Sequence, residues 1–401
     1  MQFQKNLQLD WQNLCGILPK VKSKGGKMVY RTLLFDVDGV MLSEERYFDA
    51  TALTVIELWN RSCYLGLSAQ PLDSIQDNPT ETYIRNARQY VFADDRALFA
   101  MKSKGINANW DMVYLLFAFA LGRLLDETAT VTISKYQPSE DMAEYLCRVG
   151  HVLQSREGHR NLPDFQKFVC LAESASDKAD LMNKVNEKLR RLVSANEEKI
   201  FFQKLWELGC QVFQTWYLGQ QSDSPLSHEK RGFLHDEEAI VDIERFRALL
   251  IHLQSSGIAL GIATGRPDVE TRVPLSHLGL LSLFDKKRIS TASDVLHTER
   301  QYPEFAPLSK PHPFSYLRSL LATEDVEQVL HTSLPLSDHI ARQVLIVGDS
   351  VADAICAQKI GCDFAAVLTG PSGEAARAEF EALGANYIFK DVLELFSLFA
   401  K

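Results

Sequence analysis

Four short apolar runs constrain the fold of this chain more than any other feature. They occupy residues 33–35, 258–263, 344–347 and 364–368, and each is bounded by Gly, Asp or Thr. Runs of this length are typical of parallel strands buried on both faces. Helix-like stretches at 238–253, 314–321 and 351–360 alternate with the last three runs, and Gly361 is expected to end the last helix. The pattern predicts a doubly wound α/β fold with a parallel, Rossmann-like sheet.

A long segment between the first two runs has a different period. From residue 44 to 231 apolar residues recur at three-and-four spacing, as in Leu181, Val185 and Leu189. The sequence therefore predicts a mostly helical domain at 44–231, inserted after the first strand of a core at 30–43 and 232–401. Hinges are expected at 41–44 and 222–232, the second of which is rich in turn-forming residues. Residues 1–29 form an N-terminal extension.

Composition and charge exclude several classes of protein. The chain is 46% hydrophobic and 24% charged, which is typical of a packed globular protein. Its formal charge of -9 disfavours nucleic acid and anionic membranes as partners. The most apolar window, 112–122, is shorter than the roughly 18 residues of a membrane span. Seven scattered cysteines indicate free, buried thiols. We expect a cytoplasmic protein that does not bind membranes.

Polar residues follow the first three apolar runs at the point where each run ends. They are Asp36, Asp38 and Gly39 after the first run, Thr264, Gly265 and Arg266 after the second, and Asp349, Ser350 and Asp353 after the third, with Lys310 and Pro311 between the last two groups. Ligands of open α/β sheets bind outside the carboxyl ends of the strands. These residues are therefore the candidate site.

Each motif also has a purely structural interpretation. Asp36, Asp38 and Gly39 are compatible with a simple turn. Thr264 or a neighbour could cap a helix, and Lys310 before a proline is typical of a surface loop. Ser350 with Asp353 resembles a capping box. Because two close carboxylates repel each other unless a cation or a proton intervenes, the Asp36–Asp38 pair also suits acid–base or metal chemistry.

Together and in this order, the motifs resemble the four signature motifs of the haloacid dehalogenase-like superfamily. The resemblance covers residues 30–42 and 240–401. The helical insertion between the first two motifs resembles the C1-type cap of subfamily I, as in the phosphoglycolate phosphatase and β-phosphoglucomutase group. The cap itself matches only in position and helical character.

This resemblance implies a role for each catalytic residue. Asp36 would be the nucleophile that forms an aspartyl-phosphate, and Asp38 the acid that protonates the leaving alcohol and then activates water. Thr264 and the Gly265 backbone would bind a phosphoryl oxygen. Lys310 would offset the charge of Asp36 and the phosphoryl group. Arg266 either contacts the substrate or pairs with a surface acid.

The same resemblance implies a magnesium site. Asp36, the Asp38 backbone carbonyl and Asp349 would bind Mg²⁺, while Asp353 would hold a metal-bound water or orient Lys310. Oxygen ligands of this kind suit Mg²⁺ better than Zn²⁺.

The expected function is Mg²⁺-dependent hydrolysis of a small phosphorylated metabolite through an aspartyl-phosphate. A sugar phosphomutase and a non-catalytic binding protein remain alternatives, and phosphonate hydrolysis would need a Schiff-base lysine in the cap. An apolar cap surface would support a homodimer. Within the cap, the loops at 102–111 and 156–160 are candidates for substrate contact, although Asn109 and Asp111 also suit the start of a helix.

Overall fold

The computed structural model describes residues 30–106, 108–154, 161–219 and 230–399, so the predicted extension at 1–29 and the loop at 156–160 lie outside the described residues. The chain forms two compact units. Unit 1 contains the described residues up to Glu44 and from Glu237 onward, and unit 2 contains Glu45–Asp236. The chain thus returns to the first unit at Glu237, whereas the apolar pattern suggested residue 232.

Unit 1 is built on a sheet of six parallel strands, which confirms the predicted fold class. The strands are β1 (Thr32–Phe35), β2 (Ala259–Ala263), β3 (Ile289–Ser290), β4 (Val344–Gly348), β5 (Asp363–Val367) and β6 (Tyr387–Phe389). Their spatial order is β3-β2-β1-β4-β5-β6. The apolar runs predicted β1, β2, β4 and β5, but not β3 and β6, because strands of two or three residues at the sheet edges carry too little pattern.

Alternate strand residues pack on opposite faces of this sheet. Leu33, Phe35 and Val347 belong to one apolar cluster, and Leu34 and Ile346 belong to the other. Because both faces of the sheet are buried, the sequence of each central strand is continuously apolar.

Helices cover both faces. The helices of unit 1 are Ile243–Ser255, Asp268–His277, Ala292–Gln301, Phe314–Leu321, Val326–Leu330, Asp338–Ala341, Val351–Ile360, Arg377–Ala382 and Phe396–Phe399. Two of them have the predicted bounds, and Gly361 ends one in the left-handed conformation, as expected. The helix predicted at 238–253 begins only at Ile243, because Asp242 caps it by accepting a hydrogen bond from the Arg245 amide.

Unit 2 is helical throughout its described elements. Its helices are α1 (Glu45–Asn60), α2 (Glu81–Val91), α3 (Arg96–Ser103), α4 (Asn109–Glu127), α5 (Met142–Gln154), α6 (Gln166–Glu173), α7 (Lys178–Leu189) and α8 (Glu198–Leu218). Helix α4 packs against α1, α7 and α8. It is buried on nearly all sides from Met112 to Leu125, so its sequence is apolar without a polar face.

One local expectation for unit 2 is wrong in detail. Asn109 is the first residue of α4 and not its cap, since Ala108 precedes the helix and provides no side-chain cap. Asp111 does lie in the first turn, where it pairs with Lys178 at 2.6 Å and accepts a hydrogen bond from Trp206 at 3.0 Å. The Trp110 ring packs edge-on against Trp206. Asn107, in the same loop, lies outside the described residues.

The described cysteines are all free, but most are not buried as predicted. Cys63 and Cys170 are exposed, and only Cys356 is fully buried. Five of the six lie in loops or on the partly exposed sides of helices, where they are not enclosed by the apolar core. Within the described ranges we find no helix whose length and apolar character would suit a membrane span.

Candidate active site

The candidate residues meet because three neighbouring strands end side by side. Strand β1 is central, and Phe35 lies level with Ile262 of β2 and with Val347 of β4. The backbone amide of Asp36 continues the ladder by donating to the Val347 carbonyl at 2.9 Å. The side chains that follow β1, β2 and β4 therefore share the carboxyl edge of the sheet.

A tight loop follows β1 and carries Asp38 and Gly39. The amides of Met41 and Leu42 both donate to the Val37 carbonyl, at 2.8 and 3.0 Å. Gly39 has φ +69°, which only glycine adopts without strain. Thr369, which follows β5, donates to the Gly39 carbonyl at 2.5 Å and holds the loop in place.

Two glycines make room for the Asp349 carboxylate. A Cβ atom at Gly39 would lie 2.0 Å from Asp349 Oδ2, and one at Gly370 would lie 2.2 Å from the same oxygen. Any larger residue at either position would displace the carboxylate. Gly370 was not singled out from the sequence, since an isolated glycine after a strand has no distinctive pattern.

Lys310 links two of the carboxylates. Its Nζ lies 3.0 Å from Asp36 Oδ2 and 2.8 Å from Asp353 Oδ1. Asp36 Oδ1 in turn accepts a hydrogen bond from the Val37 amide at 2.8 Å. The ammonium group is thus fixed between Asp36 and Asp353 rather than extended into solvent, which argues against the surface-loop interpretation.

Tyr316 completes this group, and sequence reasoning missed it. Its hydroxyl donates to Asp353 Oδ1 at 2.8 Å, accepts from Lys310 at 3.3 Å, and its ring lies 4.7 Å from the Lys310 nitrogen. The residue is fully buried. Burial, followed by the charges of Asp353 and Asp36, raises the pKa of Tyr316 well above its ordinary value, so the hydroxyl remains a donor. Its place in an amphipathic helix made it look like an ordinary core residue.

Asp353 takes part both in a helix cap and in the contact with Lys310. Its Oδ2 accepts from the Ser350 hydroxyl at 2.7 Å, and Ser350 Oγ accepts from the Asp353 amide at 3.3 Å, so a capping box is present. Its Oδ1 contacts Lys310 and Tyr316. Both carboxylate oxygens of Asp353 are therefore engaged by protein donors.

The charges of this cluster are unbalanced. One oxygen each from Asp36, Asp349 and Asp353 lies within 4.8 Å of the other two. Burial raises the pKa of Asp36 to about 7 although Lys310 lowers it. Burial, then Asp353 and Asp36, raises the pKa of Asp349 well above its ordinary value. Burial lowers the pKa of Lys310, but Asp353 and Asp36 outweigh it, so the lysine stays charged.

Three carboxylates against one lysine fit a divalent cation. An oxygen-only donor set with excess negative charge is what a hard metal ion requires. Asp36 has one protein donor at each carboxylate oxygen and Asp353 has two at each, while the Asp349 carboxylate takes part in no hydrogen bond with the described residues. These residues could therefore hold a metal ion of the Mg²⁺ type.

Thr264 and Gly265 follow β2 at the same edge. Thr264 is buried and its Oγ1 accepts a hydrogen bond from the Arg266 amide at 3.1 Å. It does not cap a helix, because the next helix begins at Asp268, after Pro267, without a side-chain cap. Gly265 is exposed, and a Cβ there would meet no atom within 4 Å. The space around its backbone would allow an anion to approach.

Arg266 pairs with acids, but they are not surface acids. Its Nε lies 2.7 Å and its Nη2 2.5 Å from Asp38 Oδ1, and its Nη1 lies 2.9 Å from Glu237 Oε1. The side chains of Arg266 and Glu237 are each 1% exposed, compared with 28% for Asp38. Glu237 lies far from every motif in the sequence, so nothing in its surroundings could have identified it.

A cavity of about 200 Å³ in unit 2 contains none of the predicted site residues. Its lining consists of Phe119, Arg123, Asp126, Lys167, Leu171, Lys184, Val185 and Lys188. Most of its cations pair with nearby acids, for example Lys188 with Asp126 at 3.2 Å and Lys184 with Asp180 at 3.1 Å. We assign it no function.

The fold and site together define a doubly wound α/β enzyme core, interrupted after its first strand by a helical unit and carrying an acidic cluster with a buried lysine. Comparison with known proteins identifies the family. Residues 226–367 match the model of the haloacid dehalogenase-like hydrolases. No curated protein sequence matches the chain.

The chain is also similar to solved structures, to very different degrees. A Northeast Structural Genomics Consortium target is 35% identical to the chain, with a TM-score of 0.78 over 92% of this chain and 98% of its own. A candidate phosphoglycolate phosphatase from Lactobacillus plantarum is 14% identical, with a TM-score of 0.38 over 92% of this chain and 100% of its own. A HAD family hydrolase from Deinococcus radiodurans R1, solved with phosphate and sodium, is 13% identical, with a TM-score of 0.36 over 93% of this chain and 96% of its own. The last two likenesses are too remote to bear on the reaction.

The chain belongs to the haloacid dehalogenase-like hydrolases, and it is an enzyme of that family. The resemblance inferred from the four motifs is therefore confirmed.

Proposed function

We propose that the protein is a Mg²⁺-dependent phosphatase that hydrolyses a small phosphomonoester through an aspartyl-phosphate. The observation that carries the proposal is the pairing of Asp36 with Lys310 at 3.0 Å, inside a cluster of three carboxylates at the end of the central strand. A second acid, Asp38, follows two residues later on the same loop. Nucleophile, charge compensation and acid are the parts that phosphoryl transfer requires.

In the first step, an Asp36 carboxylate oxygen forms a bond to phosphorus as the bond to the alcohol oxygen breaks. Asp38 gives its proton to that oxygen, so that an alcohol leaves. Lys310, held by Asp353 and Tyr316, offsets the charge on Asp36 and on the transferred group. Thr264 and the Gly265 backbone are the candidate contacts for the phosphoryl oxygens.

In the second step, Asp38 takes a proton from water, and the oxygen of that water attacks phosphorus. The bond from phosphorus to Asp36 breaks, phosphate leaves, and both aspartates return to their starting state. Mg²⁺ held by Asp36, Asp349 and the Asp38 carbonyl would supply additional electrostatic stabilisation of the phosphoryl oxygens when bound.

The free state of the described cysteines supports a cytoplasmic location, and the net charge of -9 argues against nucleic acid and anionic membranes as partners of an enzyme that acts on a small phosphorylated metabolite. A homodimeric assembly is part of the same proposal.

The test is phosphate release from a panel of phosphorylated metabolites, with Mg²⁺ and with a chelator. Asp36→Asn is compared with Asp338→Asn, a matched change at a side chain that is 85% exposed. We expect metal-dependent turnover in the wild type and in Asp338→Asn, and none in Asp36→Asn. Turnover that survives in Asp36→Asn would overturn the proposal, and transfer of labelled phosphoryl between two positions of a sugar would favour the mutase.

A further inference from the structure

The contacts of Arg266 are unusual for a residue beside a phosphate-binding turn. An arginine that binds a substrate phosphate presents its guanidinium to the open site. Here the guanidinium is enclosed, with a side-chain exposure of 1%, and its donors are directed at protein acceptors. Arg266 is therefore built to hold another part of the protein.

The group that it holds is Asp38. Both Nε and Nη2 contact the same oxygen, Oδ1, at 2.7 and 2.5 Å. Within the described part of the chain, Asp38 Oδ2 takes part in no hydrogen bond, and the side chain is 28% exposed. One carboxylate oxygen is thus fixed by the arginine, and the other accepts from no described protein donor.

The arginine is itself held from the opposite side. Glu237 Oε1 accepts from Nη1 at 2.9 Å, and the Ser43 carbonyl accepts from Nη2 at 3.2 Å. Ser43 and Glu237 lie next to the two points where the chain leaves and re-enters unit 1. Because a planar guanidinium offers its donors in a fixed fork, this set of acceptors restricts its rotation, and lysine could not reproduce it.

We propose that Arg266 is a positioning residue, which orients the Asp38 carboxylate so that Oδ2 carries the proton exchanged with the leaving group and with water, and that Glu237 keeps Arg266 in this orientation. The inference rests on the proposed phosphatase function. It assigns Arg266 no contact with the substrate.

A leaving-group series tests this role. A positioned acid matters most when a poor leaving group must be protonated, and hardly at all for a good one. The substrates are phenyl phosphate, 4-nitrophenyl phosphate and 2,4-dinitrophenyl phosphate, and the variant is Arg266→Met, similar in length and uncharged. We expect kcat/KM to fall about 100-fold for phenyl phosphate and less than about fivefold for 2,4-dinitrophenyl phosphate. A burst of dinitrophenolate should precede slower turnover, because Asp38 also serves the second step.

Two further variants separate positioning from other roles. If Arg266 acts only through Asp38, Asp38→Asn with Arg266→Met should be no slower than Asp38→Asn alone. Glu237→Gln should give the same leaving-group pattern to a smaller degree. Combining Arg266→Met with Glu237→Gln removes the buried charge that the single change leaves behind, so the kinetics can be measured even if the single variant folds poorly.

The outcomes distinguish this inference from the proposed function. Equal losses across the series, or losses that add to those of Asp38→Asn, would mean that Arg266 contacts the substrate or is merely structural, and would overturn the inference. Asp36→Asn is measured on the same three esters. If it retains turnover, the proposed function is wrong, whereas complete loss in Asp36→Asn with a flat series in Arg266→Met overturns the positioning role alone.

Discussion

Two buried lysines, one in each unit, make similar contacts but differ in the balance of charge around them. Lys310 in unit 1 contacts Asp36 and Asp353 and lies 4.7 Å from the Tyr316 ring. Lys230 in unit 2 contacts Glu57 at 2.6 Å and Thr215 at 2.7 Å, and lies 4.2 Å from the Trp216 ring. Each is a lysine held by carboxylate and hydroxyl groups over an aromatic face.

The two lysines differ in the other charged groups that surround them. Glu57 also pairs with Arg61 at 3.1 Å, and Arg61 pairs with Asp77, so two cations meet two acids around Lys230. Around Lys310 a single cation meets three acids. Lys230 is 1% exposed and Lys310 is 13% exposed. A balanced, sealed cluster stabilises a fold, while an accessible excess of charge is suited to bind a cation and a phosphoryl group.

The pKa values of the two lysines are also shifted in opposite directions. Burial lowers the pKa of Lys230 in spite of Glu57, whereas Asp353 and Asp36 together raise the pKa of Lys310 above its ordinary value. The same side chain in similar contacts is therefore structural in one unit and a candidate catalytic group in the other.

Replacing Lys310 should have the largest effect on activity. For Lys310→Met in the presence of Mg²⁺, we expect kcat to fall about 1,000-fold, because the charge that stabilises the transferred group is lost. The melting temperature should change little, since the metal ion partly compensates the carboxylates. Steady-state phosphate release and thermal denaturation measure both quantities, and near wild-type turnover would remove Lys310 from the site.

Replacing Lys230 should have the reverse effect. Lys230→Met leaves Glu57 buried with only one of its two cationic partners, and we expect the free energy of unfolding to fall by about 3 kcal/mol. The kcat of the folded fraction should stay close to that of the wild type. Urea denaturation with activity measured on the folded protein tests this. An unchanged unfolding midpoint would contradict the structural role assigned to the cluster.

The pH dependence of Mg²⁺ binding should come from the acidic cluster of unit 1, and not from the Lys230 cluster of unit 2. Because burial raises the pKa of Asp36 to about 7 in the metal-free protein, Mg²⁺ must displace a proton below that pH. We expect its apparent affinity to rise by about tenfold per pH unit between pH 5 and 7 from Asp36 alone, and more steeply if Asp349, whose pKa burial also raises, must lose a proton as well. Proton release should be detectable by calorimetry in buffers of different ionisation enthalpy. An affinity independent of pH in this range would contradict the shift.

The same shift has a consequence for stability without metal. A carboxyl whose folded pKa is raised binds its proton more tightly in the folded than in the unfolded chain. The contribution of Asp36 to stability is therefore present at low pH and is lost as pH rises from about 4 toward 7. Mg²⁺ should raise the melting temperature most at neutral pH. The loss of stability caused by Lys230→Met should be the same with and without Mg²⁺.

The smallest expected effect is that of Tyr316→Phe. The ring and its packing remain, but Asp353 and Lys310 lose one hydrogen-bond partner. We expect kcat to fall by about three- to tenfold and the free energy of unfolding by about 1 kcal/mol. Tyr83→Phe, at an exposed hydroxyl in unit 2, is the matched control. Equal activity of the two variants would show that Tyr316 is only a core residue.

The sequence by itself determined the sheet and most of the site. Short apolar runs predict strands because burial on both faces leaves no room for polar side chains, and parallel strands necessarily bring the residues after them to one edge. Asp36, Thr264 and Asp349 could be found in this way since each follows a strand directly.

Only the tertiary structure decided which residues complete the site. Tyr316 and Glu237 lie on segments whose local pattern is that of ordinary core or loop, and their contacts with Asp353 and Arg266 join residues 37 and 29 positions apart in sequence. Whether a buried lysine or arginine is structural or catalytic depends on the charges that long-range folding collects around it. Local sequence carries no information on that sum, because electrostatic balance and exposure exist only once the chain is packed.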